Sequence, residues 1–146
     1  MASVVAVCKS DEKGVVKTSV HEIYAIAGHG IEGDAHAGEK YRQISLLAVE
    51  SVDKLREKLP ELKAGAFAEN ILTAGICLYD LPIGTELIIG EALLRVVQIG
   101  KDCHNDGCAI KKQTGECVMP REGIFASVTK SGVIKPGDKV EVIDHD

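Results

Sequence analysis

Tryptophan is absent and aromatic residues make up 3% of the chain. A domain of 146 residues under that restriction builds its core mainly from Val, Ile, Leu and Ala, within an apolar fraction of 45%. Positive charge is in deficit: 17 Lys and Arg stand against 22 Asp and Glu, a formal net charge of -5. That sign argues against non-specific nucleic-acid binding by the whole surface and leaves room only for a local basic pocket. No apolar run approaches the about 20 residues that cross a bilayer. "MASVVAVCKS" becomes charged too soon for a signal peptide and reads instead as a first strand. The expected location is therefore cytoplasmic, with neither membrane nor nucleic acid as partner. Cysteine is present in an odd number, five, which argues against a disulfide framework in a chain with no secretion signal. The thiols are then core residues, metal ligands or reactive groups.

Internal repeats, low-complexity tracts and linkers are also missing, and residues 1–146 read as a single domain. The segments 3–10 and 14–20 are short and β-branched and are bounded by Ser, Asp and Gly, as paired strands are. Residues 27–47 begin with glycines at 28, 30, 33 and 38, which excludes a helix and predicts a loop making a close backbone approach. The three- and four-residue spacing of Leu46, Val49, Val52, Leu55 and Leu59 predicts a helix over 46–59, with Ser45 as N-cap and Pro60 as stop. In it, Glu50 and Lys54 stand in the favourable order for an i,i+4 pair. Residues 65–84 read as irregular. Residues 85–100 read as a hairpin turning at Gly90-Glu91, and 123–143 as two or three further strands. The expected class is mainly β, barrel-like or sandwich, with a few peripheral helices.

The chemistry gathers in "GKDCHNDGC", residues 100–108. Cys103 follows the end of an expected strand, where ligand-contacting loops are usual, and its neighbours are Lys101, Asp102 and His104. A nearby cation favours the thiolate, the nucleophilic and metal-binding form, and Asp102 opposes it. Cys103 and Cys108 have a spacing seen at zinc sites, and Cys117 offers a third sulfur, with His36 as a conceivable fourth ligand. Alternatively Cys108 and Cys117 line the core, or one of them resolves an oxidised Cys103. "GIEGDAHAG", 30–38, carries Gly33, Asp34 and His36 and can form either an anion-binding nest or a tight connection with a local Asx turn. Arg42, Lys101 and Arg121 each lie beside a glycine-rich or strand-end segment and suit phosphate recognition, though each also suits a solvated surface. Glu69-Asn70 is a polar pair among small and apolar residues. It either hydrogen-bonds a heterocycle or braces backbone. Cys8 and Cys77 read as core residues.

Taken in order, "GIEGDAHAG", "RQISLL", "GAFAENI", "LPIGTELIIGEALLRVVQIGKDC" and "MPREGIFASV" resemble the MOSC domain, named after the C-terminal part of molybdenum-cofactor sulfurases. The resemblance is to small stand-alone bacterial members. It implies a strand-rich barrel-like fold and a pocket for the pterin–molybdenum cofactor, molybdopterin. It also implies an essential cysteine at Cys103, carrying sulfur as a persulfide or ligating the metal, with His104, Cys108 and Cys117 close by in sequence. Gly33, Asp34, His36, Arg42, Glu69, Asn70, Lys101 and Arg121 are then the expected cofactor-binding set. The large sulfurases carry a pyridoxal-phosphate desulfurase domain that these residues do not contain, so that cofactor is expected only in a separate partner, a cysteine desulfurase or another sulfur donor. A molybdoenzyme or a cofactor-biosynthesis protein is the expected recipient.

Three functions follow from this reading. The first is a sulfur carrier that holds the molybdenum cofactor or passes sulfur to it, which would make the protein a sulfurtransferase. The second is a small molybdenum-dependent reductase of N-hydroxylated compounds that needs a separate electron donor, since no flavin or haem motif is present. The third is a zinc-stabilised, non-catalytic binding module built on Cys103, Cys108 and Cys117.

Overall fold

Alternation of apolar and polar residues over short runs, broken by Gly, Asp and Pro, yields eleven strands among the described residues of the computed structural model. It describes residues 2–10, 17–35, 37–38, 43–56, 64–65, 69–99 and 123–143. The strands are β1 (Ser3–Lys9), β2 (Thr18–Val20), β3 (Ile23–Ile26), β4 (Gly30–Ile31), β5 (Ile44–Ala48), β6 (Ile71–Ala74), β7 (Glu86–Ile89), β8 (Ala92–Ile99), β9 (Ile124–Lys130), β10 (Gly132–Ile134) and β11 (Val140–Ile143). One helix, α1 (Val49–Arg56), and a 3-10 turn at Leu78–Asp80 complete the described elements. The mainly β class expected from sequence is the observed one.

Eight strands form one sheet in the order β11-β7-β8-β9-β5-β6-β1-β2, and β10-β3-β4 form a second. The hairpin at Gly90-Glu91 is present as read: Ile89 faces Ala92, and Gly90 takes a positive φ of 59°, as a two-residue turn requires. Neighbouring strands are antiparallel except β5 and β6, which run parallel with Leu46 opposite Ile71. A parallel pair needs a crossover, and α1 lies within it. The sheets are not closed into a barrel. The large sheet curls until an isolated bridge joins Ser3 to Lys139, flanked by hydrogen bonds from Val4 N–H to Asp138 O and from Val140 N–H to Ala2 O.

The larger core lies between the two sheets, where Val7, Ile44, Leu46, Ile71, Leu94 and Ile124 meet Ile23, Ala25, Ile31 and Ile134. A smaller one lies on the opposite face, where Ala6, Leu47, Leu72 and Phe125 pack with Val52 of α1. No helix among the described residues is long and apolar enough to cross a membrane.

Two expectations are corrected. The helix does not begin at Leu46, because residues 44–48 are the strand β5, buried at all five positions. Its side chains are divided between the two cores, with Leu46 in the larger and Leu47 in the smaller. A central strand covered on both faces needs such a continuous apolar run, and the run imitates a helical stripe where it meets Val49 and Val52. Glu50 accepts a 2.8 Å hydrogen bond from Gly75 N–H, so it ties α1 to the end of β6. Leu59 and Pro60 lie outside the described residues. The second correction is β6, inside a stretch read as irregular: "ILTA" is too short to show a period, and its pairing with β5 and β1 makes it a strand.

Candidate functional site

Asn70, just ahead of β6, is fully buried. Its Oδ1 accepts from Ser45 N–H at 3.0 Å and from the Ser45 hydroxyl at 3.2 Å, and its Nδ2 donates to Cys8 O at 3.1 Å. Main-chain bonds run parallel to these, from Cys8 N–H to Asn70 O at 2.7 Å and from Asn70 N–H to Ser45 O at 2.9 Å. One amide side chain thus laces β1, β5 and the entry to β6. Ser45 belongs to this lattice and is not a helix cap.

Beside it lies a buried charged group. Lys17, immediately before β2, places its ammonium 2.7 Å from Asp34 Oδ1, and the two side chains are 1% and 0% exposed. The same Oδ1 accepts Ser10 N–H at 3.0 Å, while Ser10 O accepts Ala35 N–H at 2.6 Å. Lys17 N–H donates to Gly65 O at 2.9 Å, and Gly65 N–H donates to Glu69 Oε2 at 2.7 Å. Gly65 has a φ of 89°, and a Cβ there would overlap the Lys17 carbonyl. Only glycine fits so close a crossing of two chain segments. Cys8 is fully buried in this neighbourhood, and its thiol is pushed up to about 12, chiefly by burial and further by the Glu69 carboxylate; Lys17 pulls it down. Cys8 is an inert core thiol, as the sequence reading had it.

Four of the sequence-expected residues are thus visible: Gly33, Asp34, Glu69 and Asn70. Asp34, Glu69 and Asn70 gather around the ends of β1 and β5 with their side chains engaged by protein groups. Gly33 has a φ of 80° and lies near Lys9 Nζ. The turn's amides are largely committed too. Asp34 N–H bonds Ile31 O, Ala37 N–H bonds Asp34 O, and Gly38 N–H bonds His29 O. The tight-connection reading of this turn is thereby favoured over an open nest, and the Asp34 carboxylate also reaches Ser10 and Lys17. His36, Arg42, Lys101, Cys103, His104, Cys108, Cys117 and Arg121 lie outside the described residues. Among the described residues, no three His, Cys, Asp or Glu side chains converge as metal ligands.

Sequence reasoning missed Lys17. A lone lysine in a short strand-like run looks like a surface charge, and only its 17-residue separation from Asp34, closed by the fold, reveals it. It also misplaced Cys77, which is exposed. The residue follows β6 where the chain leaves the sheet ahead of the 3-10 turn, so nothing covers it as β6 neighbours are covered. It lines an open cleft of about 280 Å³ with Ala48, Glu50, Ser51, Gly75, Ile76 and Tyr79, beyond the C-terminal ends of β5 and β6.

A family model described as "MOSC domain" matches residues 33–141. Among solved structures, the YuaD protein from Bacillus subtilis aligns with a TM-score of 0.80 at 21% identity, over 100% of this chain and 98% of that one. YiiM from Geobacillus stearothermophilus aligns at 0.73 and 22% identity, over 99% of this chain and 76% of that one. YiiM from Escherichia coli aligns at 0.70 and 22% identity, over 100% and 71%. At such identities these likenesses speak for the fold. No curated protein matches the chain by sequence.

Proposed function

The chain belongs to the MOSC domain family, which is associated with molybdenum-cofactor biology, and from that premise we propose that it is a molybdenum-cofactor-binding, sulfur-carrying protein acting through Cys103. The observation that carries this reading is the extent of the family match, residues 33–141, which takes in both the glycine-rich turn and Cys103. The strand register supports it. β8 ends at Ile99 opposite Ile124, which itself pairs with Leu46. β8 therefore runs, at its last described residue, toward the C-terminal end of β5, beyond which the open cleft lies. Three residues lie between Ile99 and Cys103, four Cα–Cα steps with a reach of at most about 14 Å.

Asp34, Glu69 and Asn70, at the N-terminal end of β5, suit bracing the backbone better than contacting an anionic pterin. Their side chains are buried and already bonded to protein groups, and two of them carry the same sign of charge as a phosphate. The cations proposed to meet the phosphate are Arg42, Lys101 and Arg121, whose guanidinium and ammonium groups suit that geometry. When bound, the cofactor supplies a thiophilic metal, for which a cysteine thiolate is a soft ligand.

In the sulfur-carrying step, the Cys103 thiolate attacks the terminal sulfur of a donor persulfide, R–S–SH. A new S–S bond forms at Cys103, the donor S–S bond breaks, and the donor leaves as R–SH after the proton redistributes. The sulfane sulfur keeps its oxidation level, so no external oxidant enters. The donor is proposed to be a separate cysteine desulfurase, and the recipient a molybdoenzyme or a protein of cofactor assembly.

Native mass spectrometry of protein purified without reductant, repeated on Cys103→Ser, tests the reading. The expected result is a cofactor-sized adduct, or a gain of about 32 Da for one sulfur, lost in a variant that stays folded. A zinc-sized adduct together with an unfolded variant would instead make the cysteines structural and sink sulfur carriage.

A further inference from the structure

We propose that the open cleft beyond the C-terminal ends of β5 and β6 is a modification site, at which Cys77 takes up a small ammonium-bearing thiol as a mixed disulfide. No structural role among the described residues explains a cysteine there. Cys77 is exposed, so it does not serve the core, and it precedes the 3-10 turn without making a side-chain cap bond. Ser, Thr, Asp or Asn is favoured at such a cap, and a thiol is a weak substitute. The thiol nevertheless stands on a fixed base. Leu78, the next residue, is fully buried in the larger core. Asp80 N–H bonds Cys77 O at 3.3 Å and Leu81 N–H bonds Leu78 O at 3.1 Å, which closes the turn. The Glu50 carboxylate accepts Gly75 N–H at 2.8 Å and ties the α1 wall of the cleft to the wall that follows β6. The cleft is thus preformed, as ligand sites usually are.

The lining selects the occupant. A volume of about 280 Å³ lies just below the range of about 300–1,000 Å³ usual for drug-sized ligands, so it suits a shorter molecule. Its one charged lining residue is Glu50, exposed at the start of α1. One backbone bond leaves a carboxylate with acceptor capacity to spare. Tyr79 adds an aromatic surface, which also favours a cation. A sulfur for Cys77 and an ammonium for Glu50, a few bonds apart, describe an aminothiol. An independent observation also points to an occupant. Thr73, the residue opposite Ala48 in register, is fully buried, and its hydroxyl has no hydrogen-bond partner among the described residues. Such an atom is rare in a native structure and marks a place for a bound molecule or water; here that place adjoins the Ala48 wall of the cleft. In the step itself, the Cys77 thiolate attacks one sulfur of the aminothiol's disulfide, R–S–S–R. A Cys77–S–S–R bond forms, the R–S–S–R bond breaks, and the other half leaves as a thiolate that takes up the proton Cys77 lost. The disulfide is the oxidant, and a second thiol reverses the step by the same exchange.

The test compares cystamine, whose two halves carry ammonium groups, with its neutral counterpart bis(2-hydroxyethyl) disulfide. Native protein is incubated with each, and the adduct on the Cys77 peptide is followed by mass-spectrometric mapping. Dividing the ratio of the two rates by the same ratio in urea-unfolded protein removes the reagents' own difference in reactivity. The expected native ratio is about five-fold higher than the unfolded one, as for one well-placed exposed ion pair. It is expected to return to the unfolded value in Glu50→Gln, whose amide oxygen can still accept Gly75 N–H. Equal ratios in native and unfolded protein overturn the inference, as does a preference that survives in folded Glu50→Gln. If Glu50→Gln does not fold, salt decides. Loss of the preference at about 1 M salt, where the Debye length is about 3 Å, upholds the inference, and its persistence there overturns it. Failure of both reagents to modify Cys77 in native protein overturns it outright. Because only the Cys77 peptide is read, the outcome does not depend on the role proposed for Cys103.

Discussion

Lys17 and Asp34 stand 17 residues apart in sequence and meet at 2.7 Å with side chains 1% and 0% exposed. Removing one partner leaves the other charged and buried. Asp34→Ala is expected to cost about 3–5 kcal/mol of folding stability, and Lys17→Met/Asp34→Leu to recover most of that loss. Urea unfolding of the two single variants and the double one completes the cycle. A double variant as unstable as Asp34→Ala would refute the stranded-charge account.

Asn70→Ala removes the acceptor of Ser45 N–H and of the Ser45 hydroxyl, together with the donor to Cys8 O. At 1–3 kcal/mol for a buried polar group losing its partner, the expected loss is about 3 kcal/mol, given partial compensation. The check is the shift in urea midpoint at constant slope. A change below about 0.5 kcal/mol, the range of an ordinary surface substitution, would mean that Asn70 does not lace the strands.

Gly65→Ala places a methyl group on the Lys17 carbonyl at a φ of 89°. Backbone strain and steric overlap add, and the expected cost exceeds about 2 kcal/mol. Thermal melts compared with an alanine substitution at Gly137, which has open space beside it, isolate the overlap. Equal losses at the two positions would remove the close-crossing argument.

The Cys8 thiol is raised from 9.0 to about 12 by burial and by Glu69. Below pH 9 the thiol is protonated in both states and adds no pH dependence. Above it the unfolded chain releases the proton that the folded chain retains, so stability falls between about pH 9 and pH 12. The limiting slope is about 1.4 kcal/mol per pH unit. The difference in stability between wild type and Cys8→Ala, followed from pH 8 to pH 11, is expected to shrink by that slope. A constant difference would show that the thiol titrates normally.

Exposure separates the two described thiols. Cys77 is exposed and Cys8 is buried, so iodoacetamide at pH 8 is expected to label Cys77 in the native protein and Cys8 only after unfolding. Peptide mapping of the alkylated protein decides this. Native labelling of Cys8 at a comparable rate would contradict its burial.

Polar residues set among glycines and small apolar residues marked Asp34, Glu69 and Asn70 in the sequence, because such positions are rarely polar without a partner. Their partners were not legible. Ser45 looked like a helix cap because it precedes an apolar run, yet its hydroxyl lies against Asn70, 25 residues on. Lys17 carried no signal, because local pattern reports neighbours along the chain and nothing of residues brought in from elsewhere.

The amino-acid sequence by itself determined what short-range physics controls: the strand-rich class, the two-residue hairpin at Gly90-Glu91, and a glycine-rich turn that cannot be helical. The five ordered motifs also determined membership of the MOSC family, which the match over 33–141 shows. Only the tertiary structure decided that residues 44–48 are a central strand, that β6 pairs parallel to it, and that Lys17, Asp34, Gly65 and Glu69 form one buried group. The reason is physical. A run such as "ISLLA" satisfies a strand and a helix equally well until the two faces it must bury are in place. A buried charge, likewise, acquires its partner only when the sheet has brought distant segments together.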